Sequence, residues 1–124
     1  MYLVKSKVIE IGEFADFDDV DVVILFNNTS PEGLREVCVI HEYLQDVTPN
    51  SIDLLKVGSV IKFGDQSYTV KQIGKVANDT LKELGHASFY FGLADEEELL
   101  PGSVLLDPPI KPAIAVGDCI EFIY

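Results

Sequence analysis

Apolar positions along this chain fall in short runs, many of them β-branched, each closed by Gly, Pro, Asp or Asn. Between 3 and 11 the pattern alternates. Val4, Ser6, Val8 and Glu10 share one face of an extended chain, and Leu3, Lys5, Lys7, Ile9 and Ile11 share the other. Gly12 ends this run. Val20 to Phe26 closes on Asn27-Asn28, and Val37 to His41 forms another run. Val60 to Phe63 and Ser67 to Ile73 flank Gly64-Asp65-Gln66, which reads as a hairpin loop. Ala87 to Phe91, Val104 to Leu106 and Cys119 to Tyr124 complete the series. This density of short strands predicts an all-β fold, a small closed or nearly closed β-barrel or a sandwich.

Two segments break the strand pattern. Ser30-Pro31-Glu32 offers a capping serine and a proline at the first helical position, with Gly33 limiting the helix to about one turn. Asn78 to Leu84 predicts a longer helix. Asn78 would cap it, Leu81 and Leu84 would share a face, and Gly85 suits the left-handed position that ends helices. One echo runs through the chain: Val57-Gly58-Ser59-Val60-Ile61-Lys62-Phe63 parallels Val116-Gly117-Asp118-Cys119-Ile120-Glu121-Phe122, with Pro101-Gly102-Ser103-Val104-Leu105 as a weaker third copy. The simpler reading is one turn rule used three times, in preference to a true duplication.

Length and composition narrow the picture. At 124 residues, with 48% hydrophobic and 24% charged residues, residues 1–124 read as one globular domain able to bury a core. The formal net charge of −12 would repel a nucleic-acid backbone and favour a partner with a basic contact face. Cys38 and Cys119 sit in apolar runs and read as core thiols of a reducing, cytoplasmic compartment. The first residues do not form a charged region followed by an apolar one, so no signal peptide is expected, and no apolar run approaches the length of a membrane helix.

Most catalytic signatures do not occur. The chain has no Walker-type phosphate loop, no dinucleotide fingerprint and no nucleophile elbow. Asp16-Phe17-Asp18-Asp19-Val20-Asp21 is acidic but carries Asp21 where a calcium loop needs glycine and Val20 at a ligand position. Asp95-Glu96-Glu97-Glu98 reads as a solvated loop.

The two histidines are the informative residues. His41 closes the run Val37-Cys38-Val39-Ile40, and a strand there would put Val37, Val39 and His41 on one face. An imidazole at a strand end is held by packed backbone while its ring reaches the surface. A nucleophilic imidazole needs an uncharged ring with one nitrogen exposed and the other fixed by a hydrogen bond. On context alone, a partly buried structural histidine fits His41 at least as well. His86 follows Gly85 beyond the C-terminus of the second helix. There it could contact a phosphate or a partner, or simply cap the helix, since a cation gains from the helix dipole. Cys38 and His41 have a Cys-x-x-His spacing, but strand positions three apart face opposite ways, which disfavours a shared metal.

Three stretches resemble the glucitol/sorbitol-specific IIA component of the phosphoenolpyruvate-dependent sugar phosphotransferase system. The first is Leu34-Arg35-Glu36-Val37-Cys38-Val39-Ile40-His41. The second, the most specific, runs from Gly74 to His86 and contains Leu81-Lys82-Glu83-Leu84-Gly85-His86. The third joins Leu100-Pro101-Gly102-Ser103-Val104 with the closing Gly117 to Phe122. The resemblance implies a compact barrel-like fold and a phosphohistidine carrier. It places the phosphorylated histidine at His41 and matches His86 to a histidine of the second motif, for which a catalytic role is inferred. The implied scheme takes the phosphoryl group from HPr and passes it to a cysteine of a IIB domain that works with a membrane IIC component, with no cofactor or metal. The segment Glu42-Tyr43-Leu44-Gln45-Asp46 departs from the pattern. A non-catalytic regulatory module of the same fold, or a metal or small-ligand binder using both histidines, are the competing classes. Exposed edge strands in so small a β-domain would also permit a homodimer.

Overall fold

The computed structural model describes residues 3–13, 15, 22–44, 54–91, 100–110 and 112–123. Its strands are β1 (Leu3–Ile11), β2 (Val22–Phe26), β3 (Val39–Tyr43), β4 (Val60–Phe63), β5 (Gln66–Ile73), β6 (Ala87–Tyr90), β7 (Ser103–Asp107) and β8 (Cys119–Ile123). Helix α1 (Glu32–Arg35) lies between β2 and β3, and α2 (Ala77–Leu84) between β5 and β6. The strands form a closed barrel in the order β1-β3-β2-β6-β7-β5-β4-β8. The all-β barrel with two short helices is therefore as the patterning predicts. Closure gives every described strand a bonded neighbour on both sides, although β2 and β3 meet over only two residue pairs. The exposed edge strands expected from so small a β-domain are thus replaced by closure.

The barrel is built twice from one plan. β1 pairs with β3 antiparallel with a register shift between Val8 and Glu10, and β5 pairs with β7 antiparallel with a shift between Val70 and Gln72. β2 lies parallel to β3, as β6 does to β7. β4 and β8 pair with each other, as do β2 and β6, so the two halves meet themselves across a pseudo-two-fold axis. The detail extends to single bonds. Gly117 donates to Val8 O and Gly58 donates to Val70 O, each at 2.8 Å, and the glycine φ angles are 96° and 92°. A Cβ on Gly12 would come within 2.3 Å of the Arg35 and Glu36 carbonyl oxygens; one on Gly74 would come within 2.4 Å of those of Leu100 and Pro101. Only glycine lets the backbones cross so closely.

The echo of Val57–Phe63 in Val116–Phe122 belongs to this repeat, because the two stretches lead into the mated strands β4 and β8. The preference for a bare turn rule is corrected there. It holds for the third copy, which leads into β7, a strand whose mate is β3.

Strand alternation sends one face of each strand into a continuous apolar core, with Val4, Val8, Leu25, Phe89, Val104 and Phe122 wholly buried. A smaller cluster of Phe26, Cys38 and Ile40, with Ile9 and Ile24 against it, packs on the opposite face of β1, β2 and β3. Both cysteines are free, Cys38 buried and Cys119 partly so.

The helix ends differ from expectation. Pro31 occupies the N-cap of α1, and Ser30 makes no capping bond. Asn78 lies inside α2 and uses its side chain to hold the Leu55 backbone, accepting its N–H at 2.9 Å and donating to its carbonyl at 3.1 Å. Leu81 is buried, whereas Leu84 is 40% exposed. Gly85 ends α2 in the left-handed region at φ 61°, as its sequence position requires. Its N–H reaches Leu81 O, the single bond of an αL cap, and the His86 N–H reaches Thr80 O.

Candidate functional site

β3 carries His41 into the barrel, where the residue has 0% exposure. His41 lies opposite Val8 of β1, and the inward-facing Ser6 is the next residue along that face. Ser6 Oγ is 2.9 Å from His41 Nδ1, and the Gly85 carbonyl oxygen is 2.7 Å from Nε2. A carbonyl only accepts, so Nε2 carries the ring proton. Nδ1 then presents its lone pair to the Ser6 hydroxyl, which donates. Burial drives the His41 pKa down from 6.5 to about 4, against the smaller opposing effect of the bond to Gly85. The ring is neutral at pH 7.

Tyr43, two residues on, completes the arrangement. Its ring meets that of His41 edge-on with centroids 5.1 Å apart. Its hydroxyl donates to Leu81 O at 2.7 Å. His41 and Tyr43 therefore hold carbonyls at the C-terminal end of α2, groups that a helix cannot satisfy internally. Asn27, just past β2, adds a third tie by donating its N–H to Leu84 O at 3.0 Å.

The expectation that the His41 ring reaches the surface is corrected by this packing. The ring sits under the α2–β6 turn with both nitrogens engaged. It lies on a strand as expected, but in the middle of β3 rather than at its end, and a helix end 44 positions further along the chain covers it. Val37 lies in the turn before β3, exposed, and does not share the inward face of Val39 and His41.

His86 is half-buried on the other side of the same turn. Its Nδ1 donates to Leu25 O at 3.0 Å, and its ring lies 4.5 Å from that of Phe26 at an interplanar angle of 31°. That bond fixes the proton on Nδ1 when the ring is neutral and leaves Nε2 with a lone pair and no protein partner among the described residues. By the criterion of one fixed and one available nitrogen, His86 is the more open imidazole in this conformation. Gly85 joins the two, holding His41 by its carbonyl and preceding His86 in the chain.

Ser6, Tyr43 and the Gly85 carbonyl were not identified from the sequence as site groups. A signal for Ser6 existed: it interrupts the inward alternation Val4, Ser6, Val8 with a hydroxyl that is 0% exposed. The internal repeat sharpens this. The counterpart of Ser6 in the other half is Tyr68 and that of His41 is Leu106, by the matched registers of β1–β3 and β5–β7. Tyr68 directs its hydroxyl to Ile110 O, and Leu106 belongs to the apolar core. The plan of the barrel therefore does not itself demand a histidine–serine pair.

Cys38 packs with Phe26 and Ile40, in a cluster separate from the His41 ring. Among the described residues, no group of three or more His, Cys, Asp or Glu side chains is arranged to hold a metal ion. The acidic runs at 16–21 and 95–98 lie outside the described residues. A cleft of about 350 Å³ beside α1 is lined by Glu10, Glu13, Glu32, Glu36 and Arg35 and includes neither histidine.

Comparison with known proteins supplies context for this geometry. The sequence profile of the PTS system glucitol/sorbitol-specific IIA component matches residues 3–121. The glucitol/sorbitol-specific EIIA components of Escherichia coli K12 and Shigella flexneri are each 33% identical over 101 residues, covering 82% of this chain and 77% of theirs. The crystal structure of a PTS system IIA component from Enterococcus faecalis V583 superposes with a TM-score of 0.86 at 28% identity, covering 97% of this chain and 99% of that one. No helix among the described residues is long and apolar enough to cross a membrane.

Proposed function

We propose that this chain, which belongs to the glucitol/sorbitol-specific IIA components of the phosphotransferase system, accepts a phosphoryl group on His41 and passes it to a cysteine. The donor is the phosphohistidine of HPr, and the acceptor is a IIB domain serving a sugar-alcohol transporter with its IIC component in the membrane. The carrier works in the cytoplasm. The observation that carries the assignment to His41 is a neutral imidazole with an orienting hydroxyl, placed where the repeated half of the barrel has leucine and tyrosine.

Transfer needs one ring nitrogen freed. Nδ1 faces Ser6 in the middle of β1, a strand bonded to β3 on one side and β8 on the other. Nε2 faces a turn. A turn opens at far lower cost than a strand leaves a closed ladder, so Nε2 is the acceptor. Displacement of the Gly85 carbonyl exposes it. Attack is in line, and charge on the three equatorial oxygens is met by local donors. The backbone N–H groups of the displaced turn are the groups at hand, joined by the His86 ring when its Nε2 also carries a proton. Positioning carries much of the rate, because the reacting ring is held in advance.

The acidic surface suits a donor with a basic rim, and the encounter should weaken as salt rises. Incubation with phosphoenolpyruvate, enzyme I and HPr should label the wild-type protein on His41. An His41→Ala protein that still labels would refute the assignment. His86→Ala should slow transfer in at least one direction; unchanged rates both ways return His86 to a structural role.

The burial of His41 favours one other reading. In it His41 is only a cap for α2, and the barrel docks as a non-catalytic regulatory module. Absence of any label on the folded wild-type protein would select that reading.

A further inference from the structure

We propose that Ser6 is a positioning residue for His41, holding the proton on Nδ1 while Nε2 carries the phosphoryl group. The inference rests on the reading of His41 as the acceptor. Ser6 has 0% exposure and lies on a strand held on both sides, opposite Tyr43 of β3 and Ile120 of β8. Its hydroxyl meets His41 Nδ1 at 2.9 Å. Its neighbours on the inward face, Val4 and Val8, are apolar and fully buried. A hydroxyl buried among valines is costly unless bonded, and the partner it has is the reactive ring.

A hydroxyl suits this place for a chemical reason. The resting ring is protonated on Nε2 and needs a donor at Nδ1. A ring about to attack through Nε2 is protonated on Nδ1 and needs an acceptor there. Serine does both by rotating its O–H, with the heavy atoms at the same separation. A carboxylate in that position would favour the cationic ring, which has no lone pair to attack with. A backbone carbonyl would serve the second state only.

The step balances without any other reagent. The turn opens, the Nε2 proton passes to water, and Nδ1 takes a proton from water. Ser6 turns from donor to acceptor. The Nε2 lone pair attacks phosphorus, the donor's N–P bond breaks, and its electron pair returns to the donor imidazole. Nδ1 keeps its proton against Ser6 Oγ, so the positive character of the phosphorylated ring is stabilised by an oxygen already in place. The reverse sequence delivers the group to a thiolate.

The test compares wild type with Ser6→Ala and Ser6→Cys, each checked for fold by circular dichroism. Phosphoryl exchange with HPr is timed in both directions, and ring ¹⁵N shifts of His41 are recorded before and after phosphorylation. Wild type should show an Nε2–H ring at rest and an Nδ1–H ring when phosphorylated. Loss of the hydroxyl should slow exchange on the order of tenfold to a hundredfold, the scale seen when a group that orients a metal-binding imidazole through its second nitrogen is removed. It should also move the ¹⁵N shift of Nδ1 in the resting ring, whose lone pair loses its donor, which a serine packed without that bond would not do. Ser6→Thr should restore the Nδ1 shift. The cysteine variant keeps the volume, so it answers the question if the alanine protein fails to fold. Folded variants with wild-type rates and unchanged ring shifts would overturn the proposal. A wild-type protein that takes no label on His41 would instead overturn the functional reading beneath it.

Discussion

Gly85 ends α2 with its backbone at φ 61° and its carbonyl oxygen 2.7 Å from His41 Nε2. The helix terminus and the ring thereby become one unit: the turn that stops the helix also occupies the nitrogen of the proposed acceptor. A Cβ on Gly85 would lie 3.0 Å from His41 Nε2 and 3.0 Å from Asn27 Cβ. Gly85→Ala should therefore cost about 1–2 kcal/mol from the left-handed backbone alone, with further loss from the contacts. Denaturant unfolding measures the cost, and His41 ring shifts should move with it. A variant as stable as wild type would mean that the turn has an alternative conformation close at hand.

The depressed His41 pKa sets a direction for stability against pH. The folded ring titrates at about 4 and the unfolded ring near 6.5, so the unfolded chain binds the extra proton first. The native state has its full advantage above pH 6.5 and loses it as pH falls from there to about 4. The loss is roughly 3 kcal/mol at one pKa unit per 1.36 kcal/mol. His41→Gln should flatten the denaturation midpoint across this window relative to wild type. Parallel curves for the two proteins would show that the ring is not held neutral by burial.

Tyr43 ties β3 to α2 through one hydroxyl, donated to Leu81 O at 2.7 Å. Tyr43→Phe keeps the ring against His41 and removes that bond. The expected cost is about 1 kcal/mol, with faster amide hydrogen exchange in the last turn of α2. If the turn must open for transfer, the same variant should label no more slowly than wild type.

Arg35 reaches back from α1 to Glu10, with Nε 2.7 Å from a carboxylate oxygen, and also donates to Asn28 Oδ1 at 2.8 Å. This pairing holds the Glu10 carboxyl below the usual carboxylate range, mainly through the hydrogen bond from Arg35. Arg35→Met should raise the Glu10 pKa, read by NMR titration, with little effect on global stability because the pair is exposed.

The internal repeat gives the cleanest separation of fold from function. Leu106 occupies in the second half the place of His41 in the first. His41→Leu should therefore fold, with a melting temperature above that of His41→Ala, and should take no label. A leucine variant that fails to fold would show that the bond to Gly85 is needed for the barrel itself.

Much of this was legible in the residues. Alternation and turn residues located the strands to within a residue or two, with β3 shifted by two at each end, from Val37–His41 to Val39–Tyr43. Its boundary moved because apolar character marks where a chain wants burial, and Val37 and Cys38 obtain a turn rather than a ladder partner. The glycine after Leu84 announced the left-handed stop of α2, because backbone sterics are local. The role of Asn78 was misread for the opposite reason. Capping propensity is a local statement, and the competing claim came from the Leu55 backbone, 23 positions away.

Which segments extend, where the helix stops and which two side chains carry titratable imidazoles can be read from the residues alone. Each of these follows from neighbouring residues and from the periods of the elements. The matched registers of the two halves and the burial of His41 arise only once the chain is folded. So does the engagement of the two ring nitrogens by Ser6 and Gly85. Those outcomes depend on registers between distant strands and on a helix terminus seeking partners for its last carbonyls. Neither quantity is written at any one position of the chain.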